Sequence, residues 1–312
     1  MGEKVFVLGS YIVGVTISTE RLPVVGESIV GSGLTIGPGG KGFNQAVAAR
    51  RLGADVTVTM AVGEDDFGDK ALKYAEAEGL NTAGVIVDPS RPTGLGFVTL
   101  LPSGELTIVL DVGANGAMGA DYIEQSEAAV REASVALAQL ETPTESVASL
   151  FSLARSAGVK TVLNPAPANS YVRDLLSLVD VLTPNEGEAK LLLGLDPNEA
   201  AEPKELAEEL LQMGPEVVIV TLGSRGAITA RRSGHSFETP AVPVRAVDTT
   251  GAGDCFNGSL VAELARGGPL EEAVRKSVAA ASWSVRFRGV IDGLPMRGQL
   301  EAFMVEKSRE LE

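Results

Sequence analysis

The chain is poor in cysteine. Cys255 is the only one, so no disulfide can form within it, and a reducing compartment, the cytoplasm, is the expected setting. Histidine is as scarce: His235 stands alone in the polar stretch RRSGHSFETP, where solvation is expected. No Lys/Arg-rich block occurs, and 26 Lys+Arg against 41 Asp+Glu give a formal net charge of -15. Such a surface repels phosphate backbones, so nucleic acid is excluded as a partner, whereas a small anion needs only a local positive pocket. No apolar run is long enough to span a bilayer. The opening MGEKVFVLGS reads as a strand, too acidic in front for a signal peptide and without the Ser/Thr of a myristoylation motif. A membrane partner is not expected. Also missing are an internal repeat, a low-complexity linker and a G-x-x-x-x-G-K-[ST] phosphate loop, and the Gly9-to-Gly14 spacing does not fit a dinucleotide fingerprint.

What is present is a hydrophobic content of 45% over 312 residues, enough for one large domain with a small appendage. Strands are expected at Lys4–Leu8, Val56–Met60, Val135–Leu140, Lys160–Leu163, Val179–Leu182 and Val217–Thr221. Helices are expected between them at Lys41–Leu52, Gly68–Glu78, Asp121–Arg131, Pro143–Ala157, Asn185–Leu193 and Pro203–Gln212. Three more close the chain, at Gly253–Arg266, Leu270–Arg286 and Arg297–Leu311. This alternation implies an α/β fold with a mostly parallel sheet and helices on both faces. Thr16–Ile36 and Thr93–Asp111 each carry strand patterns with no helix between those strands. The second reads as a hairpin turning at Pro102-Ser103-Gly104. They imply a small β-sheet inserted discontinuously, about 14–36 and 93–111, into a single domain spanning 1–312.

Chemistry concentrates in AVDTTGAGDCFNGSLVAELARG. Gly251, Ala252 and Gly253 precede a clear helix, whose free N–H groups and dipole make an anion site. Asp254 sits at its mouth, placed to take a proton from an attacking hydroxyl beside a phosphoryl group. The competing reading is a plain helix cap. A second Gly-rich turn runs into a helix in GPGGKGFNQAVAARRLG. There the backbone at Gly39 and Gly40 can approach a ligand, and Asn44 offers both donors and acceptors. Lys41 can reach a phosphate or be a solvated helix lysine. Asn185 and Glu188, spaced N-x-x-E, also fit a capping box.

These two segments resemble the two signatures of the ribokinase-like (PfkB) sugar kinases. QLETPTESV, LNPAPA, DVLTPNEGEAKLLLG and VIVTLGSRG extend the resemblance, in order, over nearly the whole chain. It implies a Rossmann-like three-layer α/β/α core with a β-sheet lid and transfer of the ATP γ-phosphoryl group to a hydroxyl of a small sugar. Ribose or a related pentose is the expected acceptor, with a nucleoside or other sugar alcohol as the alternative. A non-catalytic sensor of sugar or nucleotide is a more distant one. By the same resemblance Asp254 is the base and Gly251, Ala252 and Gly253 the anion hole. Gly39, Gly40, Asn44 and Glu141 meet the sugar. Asn185 and Glu188 serve Mg2+ and the phosphates, and Thr221 and Gly223 contact the nucleotide. Asp248, Thr250, Ser284, Phe287 and Gly289 fall where a K+ site occurs, and a homodimer through the lid is implied. The chain departs from the family twice. Gly293 stands where a serine is usual. Ile12 and Gly14 replace the asparagine and the sugar-gripping aspartate of G-x-x-N-x-D, so a substitute carboxylate would have to come from Glu27, Glu105 or Asp111. Trp283 and Phe287 read as core rather than adenine stackers, Cys255 as inert, and Glu199–Glu209 as a solvated helix face.

Overall fold

The computed structural model describes residues 3–103 and 106–310. Fourteen strands are seen among them. They are β1 (Lys4–Leu8), β2 (Ile12–Ser18), β3 (Ser32–Gly39), β4 (Asp55–Thr59), β5 (Ala61–Gly63), β6 (Ile86–Asp88), β7 (Gly94–Leu100), β8 (Leu106–Asp111), β9 (Val135–Ala138), β10 (Lys160–Leu163), β11 (Val181–Leu182), β12 (Val217–Thr221), β13 (Ala227–Arg231) and β14 (Ser236–Thr239). The helices are α1 (Lys41–Arg51), α2 (Asp66–Ala77), α3 (Ala120–Gln125), α4 (Glu127–Glu132), α5 (Thr144–Ser156), α6 (Glu186–Leu193), α7 (Pro203–Gln212), α8 (Ala252–Ala265), α9 (Leu270–Ser284), α10 (Val290–Gly293) and α11 (Arg297–Glu310).

The main sheet runs β14-β13-β12-β11-β10-β9-β1-β4, parallel from β4 to β12 and antiparallel at the β13 and β14 edge. Its strands are apolar on both sides because helices cover both sides. Val5 and Val7 of β1, Val135 and Leu137 of β9 and Ile219 of β12 enter one core, with residues of α1, α8 and α9. Phe6 and Leu8, Ala136 and Ala138, and Val218 and Val220 enter the other, with residues of α5, α6 and α7. The period of two thus splits each strand between two cores and produces the three-layer α/β/α architecture. Burying one such Leu or Phe contributes about 1.5–3 kcal/mol. Helices α1 and α8 lie against each other with no room for side chains where they touch. A Cβ on Gly258 would fall 2.4 Å from the Ala48 Cβ; α1 also meets the chain just past β1 closely, a Cβ on Gly42 falling 2.3 Å from the Gly9 Cα.

The second sheet has the order β3-β2-β7-β8, with β2 and β7 parallel and the outer pairs antiparallel. Its strands start closer to the core than the sequence suggests. β2 begins at Ile12 and β3 runs to Gly39, directly before α1, while 19–31 form no strand. The reason is continuity: Ile12 and Val13 are buried as the chain leaves β1. Of the expected hairpin turn, Gly104, like Glu105, lies outside the described residues. Two side chains brace the root of this sheet, half-buried Asp65 and buried Asn115. Asp65 caps α2 by accepting from Phe67 and Gly68 and also accepts from the Thr93 N–H at 2.8 Å. Asn115 donates to the Tyr11 and Val112 carbonyls and accepts from the Tyr11 N–H.

Other departures are local. The helix expected over Asp121–Arg131 breaks at Ser126, whose hydroxyl lies 3.2 Å from that of Thr59. The strand expected to reach Leu140 stops at Ala138, because Gln139 turns its amide toward α1. The stretch around His235 forms the β13–β14 hairpin, with His235 exposed at its turn. Trp283 packs edge-on to Phe303, and Cys255 is buried, as expected.

Candidate active site

Strand carboxyl ends and helix starts of the main sheet surround a cavity of about 180 Å3. Its lining is Lys41 from α1, Asn164 and Ala166 after β10, Thr183 and Asn185 after β11, Glu188 on α6, Thr221 at the end of β12, and Gly251, Gly253, Asp254 and Asn257 at the start of α8. Open α/β sheets place their ligands at this end of the strands.

Helix α8 begins on Gly251, which adopts φ 77°, a conformation that glycine takes without strain. A side chain there would also collide with Val290. The Ala252 N–H turns back to the Thr249 carbonyl at 3.3 Å. Those of Gly253 and Asp254 have no acceptor within the helix, as in any first turn, and carry the positive end of its dipole. A Cβ at Gly253 would meet nothing within 4 Å, so open space lies over this turn.

Asp254 is 7% exposed and has no direct ion pair among the described residues. Its Oδ2 accepts from the Asn44 amide and its Oδ1 from the Gln45 amide, each at 2.9 Å. Burial pushes its carboxyl above the ordinary aspartate value; Lys41 and the two amides act against that. The Asn44 Oδ1 is buried and has no partner among the described residues. Lys41 belongs to the cavity and is not a solvated helix lysine. Burial works against its charge, but Asp254, Glu141 and Glu188 outweigh it and hold its pKa above the usual lysine range. Asn185 and Glu188 do form the capping box of α6, with the Asn185 side chain accepting from the Glu188 N–H at 2.8 Å and Glu188 accepting from the Asn185 N–H at 2.9 Å. They nonetheless face the cavity. Burial raises the Glu188 pKa, which Asn185 and Lys41 oppose and Asp254 reinforces.

The sequence-derived residues therefore fall into three groups. Lys41, Asn185, Glu188, Thr221, Gly251, Gly253 and Asp254 share the cavity, with Asn44 directly behind Asp254. Gly39, Gly40, Glu141 and Gly223 lie outside it. Glu141 accepts from the Lys41 backbone N–H at 2.8 Å and from the Ser10 hydroxyl, fixing the start of α1, and Gly223 sits in an exposed turn after β12. The third group lies beside the cavity, where Asp248 ties two loops by accepting from the Thr250 N–H at 2.9 Å and the Gly289 N–H at 3.1 Å. Ser284, the last residue of α9, and Phe287 precede Gly289 and are joined by a Phe287 N–H to Ser284 carbonyl bond of 3.2 Å. Of the possible substitute carboxylates, Glu27 is paired with Arg21 and Asp111 caps the Gly113 N–H. Glu105 lies outside the described residues.

Sequence reasoning missed Gln45, Gln139, Asn164, Thr183 and Asn257. The usable signal was that each ends a strand or adjoins a signature residue: Gln139 after β9, Asn164 after β10, Thr183 after β11, Gln45 beside Asn44 and Asn257 one turn beyond Asp254.

Fold and site together define an α/β enzyme that works on a small molecule at the carboxyl ends of its strands. The chain belongs to the pfkB family of carbohydrate kinases, whose profile matches residues 2–297. It is an ATP-dependent carbohydrate kinase. It is 39% identical to the ribokinase of Haemophilus influenzae over 305 residues, which cover 97% of this chain and 99% of that one. It is 31% identical to the deoxyribokinase of Salmonella typhimurium over 302 residues, 96% of this chain and 97% of that one. The structure of Arabidopsis thaliana ribokinase complexed with ribose and ATP superposes with a TM-score of 0.89 at 29% identity, covering 97% of this chain and 99% of that one. Among the described residues no helix is long and apolar enough to cross a membrane.

Proposed function

We propose that the chain phosphorylates a hydroxyl of ribose or a related pentose, with Asp254 as the general base. The observation that carries this reading is the buried Asp254 carboxylate in the first turn of α8, held by two amides and beside N–H groups that open onto the cavity. The acceptor hydroxyl attacks the terminal phosphoryl group of ATP, its proton passes to Asp254, and ADP leaves. The N–H groups of Gly253 and Asp254 face the charge that develops, and Lys41 adds a fixed positive charge beside it. The unpartnered Asn44 Oδ1 can accept from a second hydroxyl. Thr221 and the turn at Gly223 lie toward the nucleotide.

Magnesium fits this donor set in the way that suits phosphoryl transfer. Among the described residues no group of three His, Cys, Asp or Glu could cage a metal ion, so the ion would be shared between the phosphates and Glu188 with Asn185. Bound there, it would supply charge neutralisation at the phosphates. Asp248, Thr250, Ser284, Phe287 and Gly289 are proposed as the K+ loop. Gly293 offers it no hydroxyl, and a Cβ there would lie 2.8 Å from the Ser284 carbonyl oxygen. The second sheet is proposed as a lid and as the contact of a homodimer. One face carries a cross-strand row of Ile36, Val15, Phe97 and Val109, of which Ile36, Phe97 and Val109 are 56%, 57% and 71% exposed.

A specific observation favours a second acceptor, a deoxypentose. Ile12 and Gly14 stand where the family's polar pair would be. Gly14 is flanked by Gly37 and Gly96, so a three-glycine row offers no side-chain donor. The test is ADP release from ATP over pentoses, hexoses, deoxysugars, polyols and nucleosides. Turnover with a pentose or deoxypentose far above the rest is expected; preference for a nucleoside overturns the reading.

A further inference from the structure

We infer that Gln45 is a positioning residue for Asp254, aiming its carboxylate through a relay of polar side chains that begins just past the end of β9. This rests on Asp254 being the base. The relay is read bond by bond. The Gln139 amide donates to the Gln45 Oε1 at 2.7 Å. That fixes which way round the Gln45 carboxamide lies, because a carboxamide presents oxygen on one side and NH2 on the other. Its NH2 group is left to face Asp254 Oδ1 at 2.9 Å and Asn164 Oδ1 at 3.0 Å, so both of its hydrogens are used. Asn164 in turn donates to the Thr183 carbonyl at 3.1 Å, the Thr183 hydroxyl to Asn257 Oδ1 at 2.6 Å, and the Asn257 amide to the Gly253 carbonyl at 2.9 Å. The relay thus leaves β9, passes under the cavity and closes on the first turn of α8, where Asp254 resides.

Gln45 is fully buried. A buried amide with every group satisfied has one low-energy orientation, since any rotation leaves donors or acceptors unpaired at about 1–3 kcal/mol each. Asn44 cannot take over this role. It holds the other carboxylate oxygen, and its own Oδ1 is unpartnered among the described residues, so its carboxamide is held from one side only. The two neighbours on α1 therefore divide the work: Asn44 is open to a ligand and Gln45 is locked to the frame. Close packing of α1 on α8 at Gly258 keeps them in reach.

Gln45→Met keeps length and bulk but removes the donor. The expected result is a fall in kcat of about 10- to 100-fold, part of the about 10²–10⁴-fold that a general base supplies, with nucleotide Kd and acceptor KM within about threefold. A purely structural defect would not give the second readout, the acidic limb of the kcat profile. Asp254 must be ionised to accept a proton, and its pKa is already raised by burial. Losing a hydrogen bond that lowers it moves the limb to higher pH. The other titratable groups facing Asp254 are Lys41 and Glu188, which stay in place, and Cys255, whose thiol burial pushes up to about 12 and keeps neutral. Gln139→Met is the second variant. It leaves both donors to Asp254 but frees Gln45 to rotate, and the same limb shift, smaller, is expected. An unmoved limb with kcat within twofold of wild type in either folded variant overturns the inference. Asp254→Asn separates this from the underlying reading. If that variant is inactive while Gln45→Met is normal, only the positioning role fails; if Asp254→Asn is active, the base assignment fails.

Discussion

The floor of the cavity and the second sheet answer the same problem, exposed polar or apolar groups at the edge of a core, in opposite ways. On the floor, Gln45, Asn164, Thr183 and Asn257 find partners in one another and in the backbone, Gln139 leaves only its Oε1 without one among the described residues, and the strands beneath them are buried on both faces. On the second sheet Ile36, Phe97, Val109 and Ile108 remain more than half exposed, and only the root is braced, by Asp65 and Asn115. The difference teaches where precision resides. Proton transfer needs a base held to within a fraction of an ångström, so its supports are internal to the chain. A surface that closes on a ligand or a second subunit must stay unsatisfied until the partner arrives.

The largest expected effect breaks the first half of that comparison. Asp254→Asn should lower kcat by about 10²–10⁴-fold or more while nucleotide binding measured by calorimetry hardly changes. Near-normal turnover would show that the rigid frame serves something other than a base. Glu188→Gln comes next. It keeps an oxygen for the Asn185 N–H, so the α6 cap survives, but it removes the charge. Expected are about a tenfold loss of kcat at fixed Mg2+, partly restored by excess Mg2+, and an unchanged acceptor KM. Altered sugar affinity with an unaltered Mg2+ response would sink the metal assignment. Asn185→Ala should act in the same direction and also cost about 1 kcal/mol of stability through the lost cap.

The second half is sharpened by Phe97→Asp. Light scattering at micromolar concentration should give a dimer for the wild type and a monomer for the variant, because a charge in the middle of an apolar row opposes its burial. A monomeric wild type refutes the pairing. The smallest expected effect concerns the bare glycines of the same sheet. With Gly14 in place of a carboxylate, kcat/KM for D-ribose and 2-deoxy-D-ribose should differ by less than about tenfold. A site built to bond the missing hydroxyl can discriminate by about 10⁴-fold. A thousandfold preference for ribose would mean that another carboxylate supplies the grip.

The sequence alone determined the α/β class, the two Gly-rich helix starts and the position of Asp254. Each is written locally: short continuous apolar runs such as Lys4–Leu8, a glycine before a helix at Gly251 and Gly40, an acid one turn in. It also determined the departure at Ile12 and Gly14, because a missing carboxylate is visible without a fold. Only the tertiary structure decided what surrounds Asp254. Lys41 could be read as a surface lysine until α1 was packed on α8, and the bond from the start of α1 to Glu141 was not visible before the fold. Gln139 and Asn164 were visible only as polar residues just past strand ends, because their shared partner Gln45 lies 94 and 119 residues away. Side-chain hydrogen bonds between distant strand ends have no period and no spacing. They exist because parallel strands end at one level, and that level is a property of the sheet rather than of any segment within it.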